Sequence, residues 1–272
     1  MNRRKIKWKN IFLTLFIFIL IVILIISSIN IVKWYKDSKK NDKQITKIYD
    51  EVKVEEKTDN DNTVIIESQE DLKNPYWDYI KMNLIDVDFS KLKSENDEVA
   101  GWIQVNGTNI NYPFVKTSDN DFYLHHTFDK SYNNAGWVFM DYRNNKDEFD
   151  KNTILYAHGR LDNTMFGSLR KILKSGWLND VNNHVIKLST EKENTLWQVF
   201  SVYRIPTTND YIQTTFSNDA EFKKFLDLLI NRSSYKFNVS VNEFDKILTL
   251  STCYDDNDKV VLHAKLIKKE AK

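Results

Sequence analysis

Hydrophobic and polar positions divide the chain into three stretches. Ile11 to Val32 is a 22-residue run without a charge. At 1.5 Å per residue a helix of that length crosses a hydrocarbon core about 30 Å thick. A transmembrane signal-anchor helix is therefore predicted over 11–32, behind a cytoplasmic basic tail at 1–10. Residues 33–69 are rich in Lys, Asp, Glu and Asn and short of large apolar groups apart from Val64-Ile65-Ile66. They read as a solvated spacer, partly helical at most. From 70 to 272 the pattern is that of one folded domain. Tyr76, Trp77, Ile80 and Leu84 have helical spacing after Pro75, and Phe89, Leu92 and Val99 suggest a second short helix. Trp102–Val115 reads as a hairpin around Asn106-Gly107, a two-residue turn signal. Strand-like runs recur at Gly136–Tyr142, Thr153–His158, His184–Ser189, Leu196–Ile205, Ile247–Cys253 and Val260–Ile267. Two helices interrupt them, Met165–Leu173 and Asn218–Ile230. The second has a capping box (Asn218, Glu221) and an apolar face of Phe222, Phe225, Leu226 and Leu229. About eight short strands with few helices predict a mainly β fold closed into a barrel.

Charge and composition sharpen the picture. Net charge is +1, but the first ten residues hold five of the 39 Lys and Arg, leaving 34 against 38 Asp and Glu. That balance argues against a nucleic-acid partner. Five cations on a very short N-terminus favour that end inside and the bulk outside the cell. No clear small-x-small cleavage site follows the apolar run. The expectation is a single-pass protein of the cell membrane with an extracellular domain. The chain has one cysteine, so this exported domain carries no internal disulfide, and its free thiol is a flag for reactivity.

That cysteine ends the strand ILTLSTC. Leu248 and Leu250 alternate with Thr249 and Ser251, the pattern of a half-buried strand. With the leucines inward, Ser251 and Cys253 share the other face, toward solvent or a groove. A lone cysteine is most often a small buried hydrophobe. Here it stands at a strand's open end before the turn-like run Tyr254-Asp255-Asp256-Asn257-Asp258. His158 ends another strand, just before Gly159, and an imidazolium beside a thiol lowers its pKa from about 8.5. If residues 254–258 close a hairpin, Lys259 faces Cys253 and brings a charge for an oxyanion. A plain surface lysine is the alternative. His125, His126, His184 and His263 lack such placement, and the His/Cys spacing gives no metal site and no zinc.

TLSTC (249–253), with an upstream histidine and a downstream basic residue, resembles the signature of the sortases, cysteine transpeptidases of Gram-positive cell surfaces. YPFV (112–115), DNDFYL (119–124), AGWVFMDYRNN (135–145), TILYAHG (153–159), MFGSL (165–169) and VVLHAKLI (260–267) resemble class B members in particular. The resemblance implies an eight-stranded sortase-type β-barrel with N-terminal helices and a long helix before the cysteine strand. It implies Cys253 and His158 as the catalytic pair, with Ser251 and Thr252 lining the substrate site and no cofactor. Its implied reaction is cleavage of a C-terminal sorting motif of exported proteins at a Thr carbonyl. A Cys253 thioester follows, then transfer to a peptidoglycan precursor amine. The family's third residue is an arginine, and here Lys259 stands in its place. Lysine supplies charge without a planar fork, and Arg143, Arg160 and Arg204 are the guanidinium alternatives. An inactive sortase-fold binding or scaffold protein is the other function class. A papain-like hydrolase is disfavoured because there the cysteine precedes the histidine and opens a helix.

Overall fold

A computed structural model describes residues 8–66, 70–253 and 257–272; the side chain of Cys253 and the turn residues Tyr254-Asp255-Asp256 lie outside the described part. The elements in chain order are α1 (Trp8–Glu51), β1 (Val54–Lys57), β2 (Thr63–Ile65), α2 (Tyr76–Tyr79), β3 (Leu84–Val87), α3 (Ser90–Glu95), β4 (Val99–Val105), β5 (Asn111–Val115), β6 (Phe139–Met140), β7 (Asn152–Tyr156), α4 (Ser175–Leu178), β8 (Val185–Ser189), β9 (Glu193–Pro206), α5 (Asp219–Arg232), β10 (Ile247–Cys253) and β11 (Asp258–Ala271). Short 3-10 turns cover Phe122–Leu124, Gly167–Leu173 and Val181–Asn183.

Eight strands close a ring in the order β10-β7-β6-β5-β4-β8-β9-β11, and β11 pairs back onto β10. The closed barrel leaves no long hydrogen-bonding edge exposed. Within the ring β10–β7 and β5–β6 are parallel and the other pairs antiparallel. The interior is filled by large apolar groups such as Trp102, Phe114, Leu155, Trp197, Leu248, Leu250 and Leu262, all fully buried. Outside the barrel, α5 lays Phe222, Phe225, Leu226 and Leu229 on Phe200, Tyr203, Ile247 and Val261. Burying each of those side chains stabilises the domain by roughly 2 kcal/mol. The helix begins as its sequence dictates: Asn218 Oδ1 accepts from the Glu221 amide (2.9 Å), while the Glu221 carboxylate reaches back to the Ser217 amide.

This cover on the outer face corrects the half-buried reading of the cysteine strand. Thr249 and Ser251, on the non-leucine face, are buried, Thr249 against His263 and Asn152 and Ser251 beneath Tyr211 at the edge of a groove; Thr252, on the leucine face, is buried as well. Two helix boundaries also change. Leu84 opens β3 and Val99 opens β4, so α2 is a single turn and α3 is six residues long; pairing of β3 with β1 decides the first. In the hairpin, the Thr108 amide donates to the Val105 carbonyl and Gly107 has φ +69°, as the Asn-Gly turn requires. However, β5 starts only at Asn111. Residues 106–110 are tied outward instead, Asn106 to the Asn182 carbonyl and the Asn109 amide to Ser168 Oγ.

The largest departure lies in 33–69, expected as a solvated spacer. α1 runs unbroken to Glu51, with Ser38, Asn41, Gln44 and Ile48 buried against the domain. β1 and β2 then join sheets, β2 on the outer end of β11. Charge, the feature that suggested solvation, is what holds this segment. Lys268 Nζ, fully buried, donates to Asp59 Oδ1 (2.6 Å), and Lys57 Nζ pairs with the buried Glu270 (2.6 Å). Lys265 and Glu70 make a further buried pair at 2.9 Å.

Candidate active site

Three strand ends and two connections meet at one rim of the barrel. β7 and β10 run parallel, in register from Ile247↔Asn152 to Ser251↔Tyr156. Thr252 Oγ1 then donates to the Ala157 carbonyl at 2.8 Å, so the two chains stay side by side past the last ladder pair. The next residue on each is Cys253 and His158. On its other side β10 pairs with β11, and Cys253 lies opposite Lys259. The sequence expectation that a hairpin sets those two across from each other corresponds to this backbone register.

A groove of about 390 Å³ opens at this rim. Its floor is Tyr156, Ala157, His158, Ser251 and Thr252 from the ends of β7 and β10. Asn120, Leu124 and Phe139 form one wall; Thr207, Thr208, Asn209, Tyr211 and Ile212, from the β9–α5 connection, form the other. Lys259 also lines it, and among the described residues it is the one Lys or Arg that does. Its lining is mixed, apolar rings and methyls with hydroxyls and amides, as a bound peptide requires.

His158 is half-buried, and its Nε2 lies 2.8 Å from the Leu124 carbonyl oxygen. A carbonyl only accepts, so Nε2 carries the proton and Nδ1 is the atom that gains or loses one. Burial pulls the ring's pKa below the ordinary value. The Leu124 bond opposes that shift, while the charges of His125, Arg160 and Lys259 add to it. Ser251 Oγ is 2.9 Å from the Tyr211 hydroxyl, which joins the cysteine strand to the second wall. That wall is anchored twice more. The Thr207 amide donates to the Asn257 carbonyl, and Arg143 Nη2 donates to the Ile212 carbonyl at 2.9 Å.

The three alternative arginines are each engaged away from the groove floor. Arg143 makes a fork to Asp141 (2.8 and 2.7 Å); burial pushes the Asp141 carboxyl up, but bonds from Arg143 and Tyr156 bring it below the usual range. Arg160 is bound to Asp162, Thr164 and Ser38. Arg204 pairs with Asp258. His263 is sealed in the sheet, and His126 stacks flat on Phe122 with 3.9 Å between ring centroids. Among the described residues no three His, Cys, Asp or Glu side chains gather to hold a metal ion. Sequence reasoning missed Tyr211, Asn120 and Tyr156 as groove residues. Tyr156 comes from the end of β7, whose place beside β10 is set by topology; Asn120 and Tyr211 are brought there by connections folded over the rim.

Comparison with known proteins places this arrangement. The Sortase domain family model matches residues 103–267. The chain is 31% identical over 261 residues to sortase B of Staphylococcus aureus (strain NCTC 8325 / PS 47), covering 94% of this chain and 97% of that one. Against sortase B of Listeria monocytogenes serovar 1/2a (strain ATCC BAA-679 / EGD-e) identity is 36% over 182 residues, 65% of this chain and 73% of the other. A solved sortase B complexed with triglycine superposes with a TM-score of 0.63 at 36% identity, over 66% of this chain and 85% of that one. Barrel, rim groove and relatives together define a cysteine transpeptidase of cell-wall anchoring. The chain belongs to the sortase family, in class B.

Proposed function

We propose that Cys253 and His158 are the reacting pair and that Lys259 is the charge beside the attacked carbonyl. The parallel register of β7 and β10 carries this reading. Neighbouring strands lie about 4.8 Å apart, so two chains still abreast at Ala157 and Thr252 bring His158 and Cys253 next to each other. The ring there takes the thiol proton, and the resulting imidazolium stabilises the thiolate, the form that attacks.

The substrate is a sorting motif near the C-terminus of an exported protein, with Ser251 and Thr252 along its path. Cys253 sulfur attacks the Thr carbonyl carbon; a C–S bond forms and the carbonyl electron pair moves onto oxygen. Lys259 offsets that charge, a contribution of about 10²-fold for one good donor. Collapse breaks the C–N bond, and the proton on His158 goes to the departing amine. The acyl group rests on sulfur as a thioester. A peptidoglycan precursor amine, deprotonated by His158, then attacks and releases the thiolate. The relative solved with triglycine supports a glycine-type amine as the acceptor.

Localisation follows the same logic. The apolar part of α1 is long enough to cross a bilayer, with a mean hydropathy of 3.2 and none of it buried. In this reading 11–32 spans the cell membrane, 1–10 is cytoplasmic, and the domain from residue 70 onward works outside, where both substrates are held. The test is turnover of a fluorogenic sorting-motif library by the full chain in detergent, with intact-mass detection of the acyl-enzyme. Wild-type rates from Cys253→Ala would remove the cysteine from the mechanism.

A further inference from the structure

The second half of α1 does not leave the domain on emerging from its apolar run. It lies against the loop that follows His158. Ser38 Oγ, buried, donates to Asp162 Oδ2 (2.7 Å) and accepts from Arg160 Nη2. Arg160, also buried, donates to Asp162 Oδ2 (2.7 Å) and to Thr164 Oγ1 (3.0 Å), and its guanidinium carbon lies 5.7 Å from the Trp34 ring. One position back on the helix, the Asp37 carbonyl accepts from Asn133 Nδ2 (3.0 Å) and its carboxylate from Asn134 Nδ2 (3.1 Å). Asn133 and Asn134 lie in the segment that also carries His125.

The loop needs holding. Only Gly159 separates His158 from Arg160, and the Phe166 amide closes the loop on the His158 carbonyl (3.1 Å). Asn163 and Met165 sit at φ +63° and +51°. Left-handed backbone at non-glycine residues is strained and persists only where surroundings over-determine it. The bonds of Ser38 to Arg160 and Asp162 are among those surroundings, and they come from another element; Asp37 holds the adjoining Asn133–Asn134 segment.

We infer that the part of α1 next to the membrane span is a brace for the catalytic loop, with Ser38 and Asp37 as positioning residues that fix the ring of His158 through Arg160, Asp162 and the Asn133–Asn134 segment. This rests on His158 being the acid/base of the proposed mechanism. Among the described residues, the groups charged or titrating around that ring are His125 from one loop, Arg160 from its own, and Lys259 from β11; the thiol of Cys253 on β10, its partner in the proposed mechanism, is the remaining titrating group.

The experiment uses the full chain in detergent and the doubly substituted variant Ser38→Ala/Asn134→Ala. Both changes lie outside the groove. A ring displaced by a fraction of an ångström is expected to lower kcat about tenfold with KM for the sorting peptide unchanged. The pH limb of kcat is expected to move as well. Ser38→Thr, which keeps the hydroxyl, restores the rate. Unchanged kcat and an unchanged pH limb in the double variant overturn the brace. So does a loss that parallels a fall in Tm and is not rescued by Ser38→Thr, since that marks stability alone. His158→Ala is run beside them. If it turns over normally the active-site reading fails; if it is inactive while the double variant is normal, only the brace fails.

Discussion

His158 and His263 flank the same strand and live under opposite conditions. His263 sits on β11 across from Thr249, fully buried, with one ring nitrogen 2.7 Å from the Tyr203 hydroxyl and the other 2.8 Å from Thr249 Oγ1. Thr249 passes the chain on to Asn152 Oδ1 at 2.7 Å, so β7, β9, β10 and β11 are pinned together through one imidazole. Burial, with the Arg232 charge behind it, holds its pKa down at about 3. Its proton inventory is fixed through the physiological range. His158 is half-exposed at the rim, bound through Nε2 alone to a carbonyl, and less strongly pulled from its ordinary pKa. The same side chain is a strut where both nitrogens are bound and a proton carrier where one faces a groove.

The most damaging way to probe that contrast is to remove each ring. His158→Ala is expected to cut transpeptidation by 10²-fold or more, the usual contribution of a general acid/base, with little change in the urea midpoint. Cys253→Ala abolishes turnover and thioester formation altogether. His263→Ala reverses the signature. It takes the imidazole partner from the buried Tyr203 hydroxyl and leaves Thr249 with Asn152 alone, and a buried donor or acceptor left unpaired costs about 1–3 kcal/mol. The urea midpoint falls by a matching amount, while a well-folded fraction keeps its kcat. A His263→Ala chain of full stability and no activity would invert the assignment. The pH dependence separates the two again. His263 has a folded pKa below its unfolded value of about 6.5, so the neutral ring's contribution is complete above 6.5 and declines as pH falls toward 3. His263→Gln is expected to flatten that part of the stability curve.

Between these extremes lies Lys259. Lys259→Ala is expected to lower kcat about tenfold to a hundredfold, and Lys259→Arg to keep or raise it, since the guanidinium adds a planar fork to the same charge. Unchanged turnover of the alanine variant would take Lys259 out of the oxyanion role.

Much of this was legible before any coordinates, for identifiable reasons. Period-2 runs located the barrel strands, because a closed barrel packed on its inner face forces alternation. The Cys253–Lys259 register followed from counting a short hairpin. The docking of residues 33–51 and the pairing of β1 and β2 were not legible. Their composition is that of a solvated linker, and it is the buried Lys268 and Glu270 of β11, pairing with Asp59 and Lys57, together with Ile48 and Val52 in the core, that turn it into structure. The parallel neighbour of β10 was hidden as well. β7 and β10 are separated by about ninety residues, and no local pattern states which strands close a ring. The groove walls failed for the same cause: Tyr211 and Asn120 come from connections, where periodicity carries no signal.

The gentlest test concerns the neighbours of His158 rather than the ring itself. Burial leads in lowering its pKa, and the charge of His125, with ring centroids 6.5 Å apart, adds to it. His125 is exposed and stacks on Tyr132, so His125→Gln removes one like charge without opening the core. The pH limb of kcat/KM assigned to His158 is then expected to move upward, yet to stop short of the ordinary imidazole value, because burial and the charges of Arg160 and Lys259 remain. The sign is the informative part. A downward movement would mean that the substitution loosens the bond from His158 to the adjacent Leu124 carbonyl, the influence that raises this pKa, and that this loss outweighs removal of the His125 charge.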